Sequence, residues 1–545
     1  MASCPPRGRY AGHLMHVDPS TPVIVGVGQV TNRPGTEGDQ GLTFRPEPVD
    51  LMVEAIERAL EDCDGGSPGG PAPVGRRLLE RLQSVRVVAP VTWEYVNPAE
   101  LVATRMGREV PELMVTTPGG NSPQALVNAT ALAIARGDLE VALITGGDAG
   151  FTQTAAQRHP DRPVLPWTVQ LVDTPEPLIF GTDLAPSTAA EEARGLDAPL
   201  HVYPLFEHAW RDQTGRTPNE HVEHLGTLWA GASQVAAGNP YAWLPAARSP
   251  EELVTVGDDN RMVAPPYRKL LCADNQVDQA AALLMCSAAE AEAAGVPRER
   301  WVFPLAGADA ADHWFLSHRE NFHSSPAIRL SGQAALTLLG ITIDEVAHFD
   351  LYSCFPSAVE IASAELGMDP TTPFTVTGGM TFAGGPGFNY SSHGIATMVH
   401  TLRQDPGSIG LVTGVGFYLT RHSLGLYGTE PGPVRGGGVA TADLPENIVM
   451  SDSGGFLYAD PQRAVAALPQ CAPDGDAEGE ITVETYSIAC GRDGTPERAV
   501  VAGRTPEGRR TWANVTDADQ LNLLMTEEGC GRLGTLRPDG ELDLS

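Results

Sequence analysis

The feature that most constrains the fold is a pattern that occurs twice along the chain. A glycine turn leads into an amphipathic helix, an apolar strand follows, and glycines close the strand. The first copy covers residues 119–148 and the second covers residues 384–414. Strands that alternate with helices predict a layered α/β core. Two similar halves of this kind would pack with both glycine-led helix starts near their shared interface, where ligand clefts are common.

The segments around these copies extend the same interpretation. Residues 22–26 and 82–89 are apolar runs of strand length, and residues 50–60 place apolar side chains at helical spacing. From about residue 150 to 300 the alternation is lost and Pro, His and Trp become frequent, which predicts an inserted, mainly helical region. A strand at 276–286 returns the chain to the core, and clustered Gly and Pro at 428–438 indicate a linker.

The C-terminal part of the sequence has a different pattern. Residues 480–488 alternate polar and apolar side chains with a period of two, and turn signals at 506–508 and 538–540 separate further short strands. These are hairpin signals, so we predict a small C-terminal antiparallel β-barrel. The predicted order is an N-terminal arm (1–20), a first α/β half (21–149), an inserted domain (150–295), a second α/β half (296–428), a linker (429–445) and an additional C-terminal β domain (446–545).

Composition and charge exclude several classes of function. The formal net charge of -32 argues against nucleic acid as a partner, because phosphate binding needs clustered cations. No window approaches the ~20 apolar residues needed to cross a bilayer, and the start lacks the core of a signal peptide. We therefore expect a cytoplasmic protein without membrane insertion. The eight cysteines form no C-x-x-C pair, which argues against a zinc ribbon and a disulfide framework.

Cys354 is the strongest candidate for a reactive thiol. Apolar residues typical of a strand run from position 348 to Cys354, and a helix is predicted directly after it. A thiol at a helix N-terminus lies near the positive end of the helix dipole and near unpaired N–H groups, which lower its pKa. The alternative is a small buried cysteine at a tight connection between strand and helix.

A glycine-rich loop at 378–387 precedes another predicted helix, and His393 lies about one turn into it. Glycines such as Gly384 and Gly385 allow close backbone approach to a ligand and expose N–H donors that suit an oxyanion or a carbonyl. His393 could act as a general base with Cys354 if its ring reaches the cleft. The alternative is a histidine that only packs in the interior.

Two weaker signals concern cofactors. Gly26 and Gly28 follow a strand but lack the third glycine of a dinucleotide-binding loop, so no nicotinamide cofactor is expected. His221 and His224 share a helix face and could bind a metal, but no carboxylate or thiol motif completes a site. A surface pair is the alternative, and we predict no catalytic metal.

From about residue 20 to 427 the chain resembles a thiolase, most closely the sterol-carrier-type thiolases, and its added C-terminal domain makes it similar to the type 1 thiolase-like proteins of mycobacteria. The resemblance implies two βαβαβαββ halves in a five-layered αβαβα arrangement with an inserted loop domain. It also implies acyl-coenzyme A as the substrate, carbon–carbon bond chemistry in lipid metabolism, no covalently bound cofactor, and either a homodimer or a monomer.

The resemblance assigns site residues as well. The family acylates a cysteine at the helix start of the first half, where this chain has Gly119. The sterol-carrier-type H-D-C-F motif reads here as Tyr352, Ser353, Cys354 and Phe355, so Cys354 matches the acid/base cysteine and Tyr352 replaces the oxyanion-hole histidine. The histidine of the family's G-H-P motif aligns with Gly385. The predicted catalytic residues are Cys354, His393 and Tyr352, and the predicted oxyanion and substrate-binding residues are Gly119, Gly120, Asn121, Gly384, Gly385 and Asn389.

The missing cysteine limits the chemistry that can be expected. Without a thiolate to hold the acyl group, the reaction cannot be split into two easier steps, so ordinary thiolysis should be absent. Our leading hypothesis is a divergent acyltransferase, similar to acetyl-coenzyme A acetyltransferases, with Cys354 as acid/base or alternative nucleophile and His393 as its partner. The alternative is a non-catalytic module that binds coenzyme A or supports a partner protein through the C-terminal β domain.

Overall fold

The computed structural model describes residues 17–35, 41, 45–66, 72–432, 444–445 and 447–545. Most of the predicted arm and of the predicted linker, namely residues 1–16 and 433–443, therefore lies outside the described residues.

The first half alternates strands and helices, as predicted. Its elements are β1 (Pro22–Thr31), α1 (Pro48–Cys63), α2 (Pro73–Glu80), β2 (Ser84–Val87), α3 (Pro98–Arg105), β3 (Glu112–Thr116), α4 (Ser122–Ala135) and β4 (Val141–Ala149). The inserted region and the return strand follow, as α5 (Gly150–Arg158), β5 (Leu178–Phe180), α6 (Ala189–Ala193), α7 (Pro199–Thr214), α8 (Pro218–Gly238), α9 (Pro250–Val254), β6 (Met262–Ala264), β7 (Tyr267–Arg268) and β8 (Asp278–Ser287). In the described part of the chain, six strands form one sheet in the order β1-β8-β4-β2-β3-β5.

The second half forms a second sheet. Its elements are α10 (Ala288–Ala294), β9 (Phe303–Ala311), α11 (Pro326–Leu339), β10 (His348–Asp350), α12 (Pro356–Leu366), α13 (Gly379–Phe382), α14 (Tyr390–Gln404), β11 (Ile409–Gly416), β12 (Arg421–Gly428), β13 (Val449–Ser453) and β14 (Phe456–Asp460). Among the described residues this sheet also has six strands, in the order β10-β11-β12-β9-β14-β13. The hairpin β13–β14 falls in the segment that the sequence assigned to the C-terminal domain, yet β14 pairs in parallel with β9 of the second half.

The remaining residues form a smaller antiparallel sheet. Its elements are α15 (Gln462–Ala466), β15 (Gly479–Cys490), β16 (Pro496–Arg504), β17 (Arg510–Val515), α16 (Ala518–Thr526), β18 (Leu533–Leu536) and β19 (Leu542–Leu544). The described strands follow the order β17-β16-β15-β18-β19. The sheet curls until its two edges meet, where the Asn514 N–H donates to the Gly540 carbonyl at 2.9 Å and Asn514 bridges to Glu541.

The helices α4 and α14 form the layer between the two large sheets. Each of them contacts strands of both sheets. Their apolar side chains share one buried cluster, which includes Leu126 and Ile134 of α4 and Ile395 and Val399 of α14. With helices such as α1 and α11 packed on the outer faces, this arrangement is the predicted αβαβα layering, and both helix starts lie near the centre of the molecule.

Gly26 and Gly28 have a packing role in this fold. They lie in β1 beneath α1, and a Cβ atom at either position would overlap the carbonyl oxygen of Ala59 or Ala55. The glycines therefore allow the helix to lie directly on the strand.

The predicted ends of two strands were wrong. β4 runs through Gly146 and Gly147, and β11 runs through Gly414, because each is paired along this stretch with a neighbouring antiparallel strand. At Gly147 an added Cβ would lie 2.7 Å from the Cβ of Ala280, so this glycine permits close packing within the sheet rather than ending the strand.

Candidate functional site

An arginine side chain lies against Gly119, the residue that the resemblance aligned with the family's nucleophilic cysteine. Gly119 lies between β3 and α4 with φ 148°, and a Cβ atom there would overlap Nη2 of Arg421. The Arg421 guanidinium donates to the carbonyls of Pro118 and, at 3.3 Å, Thr182, and it stacks over the Phe417 ring at 4.6 Å. Burial lowers the pKa of Arg421 to about 10, a value at which the side chain stays charged at neutral pH. A positive charge therefore lies against the backbone of Gly119.

Gly120 is covered by the side chain that replaces the family's histidine. A Cβ atom at Gly120 would overlap the hydroxyl of Tyr352 and would lie 2.6 Å from the carbonyl oxygen of Val415. The Tyr352 ring packs edge-on against Tyr390, with ring centroids 5.7 Å apart. Burial raises the pKa of the Tyr352 phenol, which is therefore neutral. The structure thus brings Tyr352 into contact with Gly120, next to Gly119.

Cys354 lies between β10 and α12, but its thiol is not activated. Burial raises the pKa of the Cys354 thiol to about 12, and the Tyr203 hydroxyl beside it offsets only part of this rise. The expectation that the helix start would lower this pKa was wrong, because the cost of burying a thiolate exceeds the benefit from the helix N-terminus. Tyr203 itself is held by two backbone groups, since its hydroxyl donates to the Phe417 carbonyl at 3.0 Å and accepts from the Leu419 N–H at 3.2 Å.

His393 faces a different part of the molecule. It lies one turn into α14, and its Nδ1 hydrogen-bonds Oε1 of Gln29 on β1 at 2.9 Å. Among the described residues its Nε2 has no hydrogen-bond partner. Burial lowers the pKa of His393 to about 3, so the ring is neutral. Because His393 bonds to β1 and Cys354 lies beside Tyr203, the contacts of the two side chains do not form the predicted catalytic pair.

Of the two predicted asparagines, Asn389 is buried and Asn121 is partly buried. Asn121 precedes α4, and its Nδ2 donates to Oγ of Ser423 at 3.4 Å, whereas its Oδ1 has no partner among the described residues. Asn389 precedes α14 and is fully engaged, since its Nδ2 donates to the Gly146 carbonyl at 2.6 Å and its Oδ1 accepts from Ser392 at 2.7 Å. Asn121 therefore retains an acceptor for a ligand, and Asn389 joins the second half to β4.

The glycine loop before α14 uses its polar groups within the protein. Gly384 has φ 102°, and a Cβ atom there would overlap Oε1 of Gln279. The N–H of Gly385 donates to the carbonyl of Asp274 at 2.8 Å. This N–H, which the sequence predicted as a donor to a substrate carbonyl, is thus already bonded.

A small cavity adjoins the tyrosine. Its volume is about 10 Å³, which is room for roughly one water. The residues that line it are Ile328, Ser331, Tyr352, Ala362, Thr413, Gly414, Val415, His422, Ser423 and Leu424. Tyr352 therefore lines this cavity, whereas Cys354 does not.

Sequence reasoning missed Arg421 and Tyr203, and it misjudged His221. Arg421 begins β12 and is followed by the polar residues His422 and Ser423, so no local pattern marked it. Tyr203 lies in the inserted helix α7, 151 positions before Cys354 in the sequence. His221, for which a surface position was the alternative to a metal site, is fully buried and hydrogen-bonds Glu207 at 2.6 Å. Within the described ranges, no helix combines the length and apolarity needed to span a membrane.

Several solved structures share this fold. A monomeric SCP2-thiolase like protein type 1 from Mycobacterium smegmatis matches 97% of this chain and 100% of its own, with 32% sequence identity and a TM-score of 0.77. An Ltp2-ChsH2(DUF35) aldolase, at 19% identity and TM-score 0.55, matches 76% of this chain and 99% of its own. The dimeric peroxisomal thiolase of Saccharomyces cerevisiae, at 13% identity and TM-score 0.51, covers the same shares. The last two likenesses show the fold alone.

The C-terminal sheet has a family match of its own. The model of the thiolase-like protein type 1 additional C-terminal domain matches residues 460–541. No curated protein sequence matches the chain. The resemblance drawn from the sequence is confirmed, since the M. smegmatis relative is similar over the whole length: this chain belongs to the type 1 SCP2-thiolase-like proteins.

Proposed function

We propose that this chain is a non-catalytic thiolase-fold module that acts by binding, and that it has lost the acyl transfer of thiolases. The observation that carries the proposal is the position of Arg421 and Tyr352, whose side chains fill the space above Gly119 and Gly120. Acyl transfer through a covalent intermediate needs a thiolate at this place. A glycine backbone cannot supply one, and a guanidinium is not a nucleophile.

The neighbouring groups also favour binding over turnover. A general base must be able to take a proton near neutral pH. The thiol of Cys354 holds its proton, since burial raises its pKa to about 12, and the ring of His393 is bonded to Gln29. Neither of the two predicted acid/base groups, Cys354 and His393, is therefore available as a base near neutral pH.

A second candidate is the divergent acyltransferase expected from the sequence, which would form or cleave carbon–carbon bonds in acyl-coenzyme A thioesters. One observation favours it: Cys354 lies at the start of α12 beside the hydroxyl of Tyr203, so a proton could pass between them. In this role Cys354 would act as an acid, because the buried thiol keeps its proton and is not available as a base.

An assay of acetoacetyl-coenzyme A with free coenzyme A tests both candidates. We expect no loss of the ketoester above the blank, either with the unaltered chain or with Cys354→Ala, while a dimeric thiolase assayed in parallel consumes it. Ketoester loss that depends on Cys354 would overturn the proposal and support the acyltransferase.

Thermal unfolding in the presence of coenzyme A then identifies what is bound. If coenzyme A is the ligand, its addition at 100 times the dissociation constant should raise the free energy of unfolding by about 2.7 kcal/mol. Inorganic phosphate at equal ionic strength is the control for nonspecific anion effects. If millimolar coenzyme A does not change the melting temperature, coenzyme A is not the ligand. The module would then act by binding a protein partner through its C-terminal sheet.

A further inference from the structure

Three helices bring two carboxylates and an imidazole together in the interior, away from Gly119 and Arg421. Glu207 lies on α7, His221 on α8 and Glu360 on α12. One ligand atom from each side chain lies within 4.8 Å of the others. The side chains of Glu207 and His221 are fully buried, and that of Glu360 is 5% exposed. Such a constellation of N and O donors on rigid elements is unusual in a protein interior.

The Glu207 carboxylate is oriented by a neighbouring phenol. The Tyr267 hydroxyl donates to Oε2 of Glu207 at 2.5 Å, while Oε1 faces Nε2 of His221 at 2.6 Å. Carboxylates that bind metals are held in this way, with one oxygen bonded to a donor outside the site and the other turned toward the ion.

Glu360 is arranged in the same manner, but its inner oxygen has no partner. Its Oε1 accepts from Nε1 of Trp210 at 2.9 Å and from Nη1 of Arg216 at 3.1 Å, and it lies 2.9 Å from Nε2 of His224. Its Oε2 has no hydrogen-bond partner within the described part of the chain, and it lies 4.0 Å from Nε2 of His221. The donors to the Glu360 carboxylate thus all bind Oε1, and Oε2 points into the cluster.

A buried carboxylate oxygen without a partner is costly, and here two carboxylates share one site. Nδ1 of His221 lies 3.4 Å from Nη1 of Arg216, and its Nε2 is directed at Oε1 of Glu207. Arg216 also pairs with Glu360 at 3.1 Å and so offsets one of the two carboxylate charges. The remaining negative charge can be balanced by a shared proton or by a cation.

We propose that Glu207, His221 and Glu360 bind a divalent transition-metal ion, which neither the sequence nor the proposed function assigned. One imidazole nitrogen and two carboxylate oxygens are a ligand set for Zn²⁺ and similar ions. The ion joins α7 and α8 of the inserted region to α12, the helix that directly follows Cys354 and Phe355. Its role is to fix these helices, because no ligand of the cluster reaches the region around Gly119.

Metal analysis of the full chain tests this site. The protein is produced in medium supplemented with Zn²⁺, dialysed and measured beside His221→Gln, Glu360→Gln and the control His348→Gln. His348 also pairs with a carboxylate, Asp405 at 3.1 Å, but outside the cluster. We expect one equivalent of zinc in the unaltered chain and in the control, and none in the two cluster variants. Replacement by Co²⁺ should give a visible ligand-field absorption that the cluster variants lack.

Two results would overturn the proposal. One is an unaltered chain without bound zinc whose melting temperature does not respond to a chelator. The other is equal zinc content in the unaltered chain and in Glu360→Gln, which indicates binding elsewhere. If His221→Gln does not fold, Glu360→Gln decides, because its neutral amide replaces a carboxyl of the same shape. A shared proton without metal predicts that Glu360→Gln melts at the same or a higher temperature, and that zinc changes neither protein.

Discussion

At the scale of single residues, the site is defined by the groups that lie against the Cβ positions of Gly119 and Gly120. The backbone of Gly119 has a φ that other residues rarely adopt, and its Cβ direction points at Arg421. Above Gly120 the obstacle is the Tyr352 hydroxyl together with the backbone carbonyl of Val415, which cannot turn away as a flexible side chain can. A single substitution is therefore not expected to restore the family's nucleophile.

The substitution Gly120→Ala measures this crowding. We expect it to lower the free energy of unfolding by about 1–3 kcal/mol, because the added methyl group must displace Tyr352 or the strand that carries Val415. The matched control is Gly231→Ala in the exposed face of α8, where a Cβ atom meets nothing within 4 Å. There the gain in helix propensity should stabilise the chain by about 0.5–1 kcal/mol. Urea unfolding of both variants checks the prediction, which fails if the two substitutions have the same sign.

At the scale of elements, the C-terminal sheet is fastened to the second half by a buried arginine. Arg510, the first residue of β17, has a fully buried side chain and bonds both carboxylate oxygens of Glu484 on β15 at 2.6 and 2.8 Å. Its guanidinium also donates to the carbonyls of Leu316 at 3.0 Å and Glu320 at 3.3 Å, between β9 and α11. One side chain thus links two strands of the small sheet to a loop of the larger body.

Removal of this link should loosen the docking of the C-terminal sheet. We expect Arg510→Ala to lower the free energy of unfolding by about 3 kcal/mol, because buried carbonyls lose their donors and Glu484 loses one of its cations. Arg537→Ala is the control, since Arg537 is exposed and pairs with Asp539 only at 3.4 Å; it should change stability by less than about 0.5 kcal/mol. Limited proteolysis should release the C-terminal sheet from Arg510→Ala earlier than from the control. Equal proteolysis of the two variants would contradict the assigned role.

At the scale of the whole molecule, both shape and charge oppose self-association. In the first sheet, β5 pairs in parallel with β3 and so covers an edge that another chain could use. The formal charge of -32 adds a repulsion between identical chains, which salt screens. The M. smegmatis relative is described as monomeric, whereas the yeast thiolase is dimeric.

We therefore expect a monomer. Sedimentation equilibrium at low salt should give a single species at the mass of one chain. The same measurement at 1 M NaCl separates the two causes, because it removes the charge repulsion and leaves β5 in place. A dimer that appears only at high salt would assign the effect to charge alone, and a dimer at both salt concentrations would contradict the prediction.

Much of the fold was predictable, because hydrophobic periodicity is a local property. The helix at 50–60, the inserted helices and the strands at 82–89, 276–286 and 480–488 all occur, with ends that differ by a few residues. The errors come from pairing between segments that are distant in sequence. Two strands extend through Gly147 and Gly414 because their partner strands continue beside them. The hairpin at 449–460 joins the second sheet because β14 pairs with β9.

The candidate site was predictable only in part. The sequence placed the candidate site at the motif around Cys354 and at the glycines 119 and 120, and these segments lie near the interface between the two halves. The states of the side chains were not predictable, since the thiol's pKa depends on burial and on Tyr203 from the inserted region, and the occupant of the nucleophile position comes from β12, about 300 residues away.

The amino-acid sequence by itself determined the duplicated α/β pattern, the inserted helices and the C-terminal strands, because each depends on neighbouring residues. Only the tertiary structure decided that Arg421 lies against Gly119, that His393 bonds to Gln29 of β1, and that His221 meets two buried carboxylates. The physical reason is that burial and electrostatic partners are set by contacts between distant segments, which no local pattern specifies.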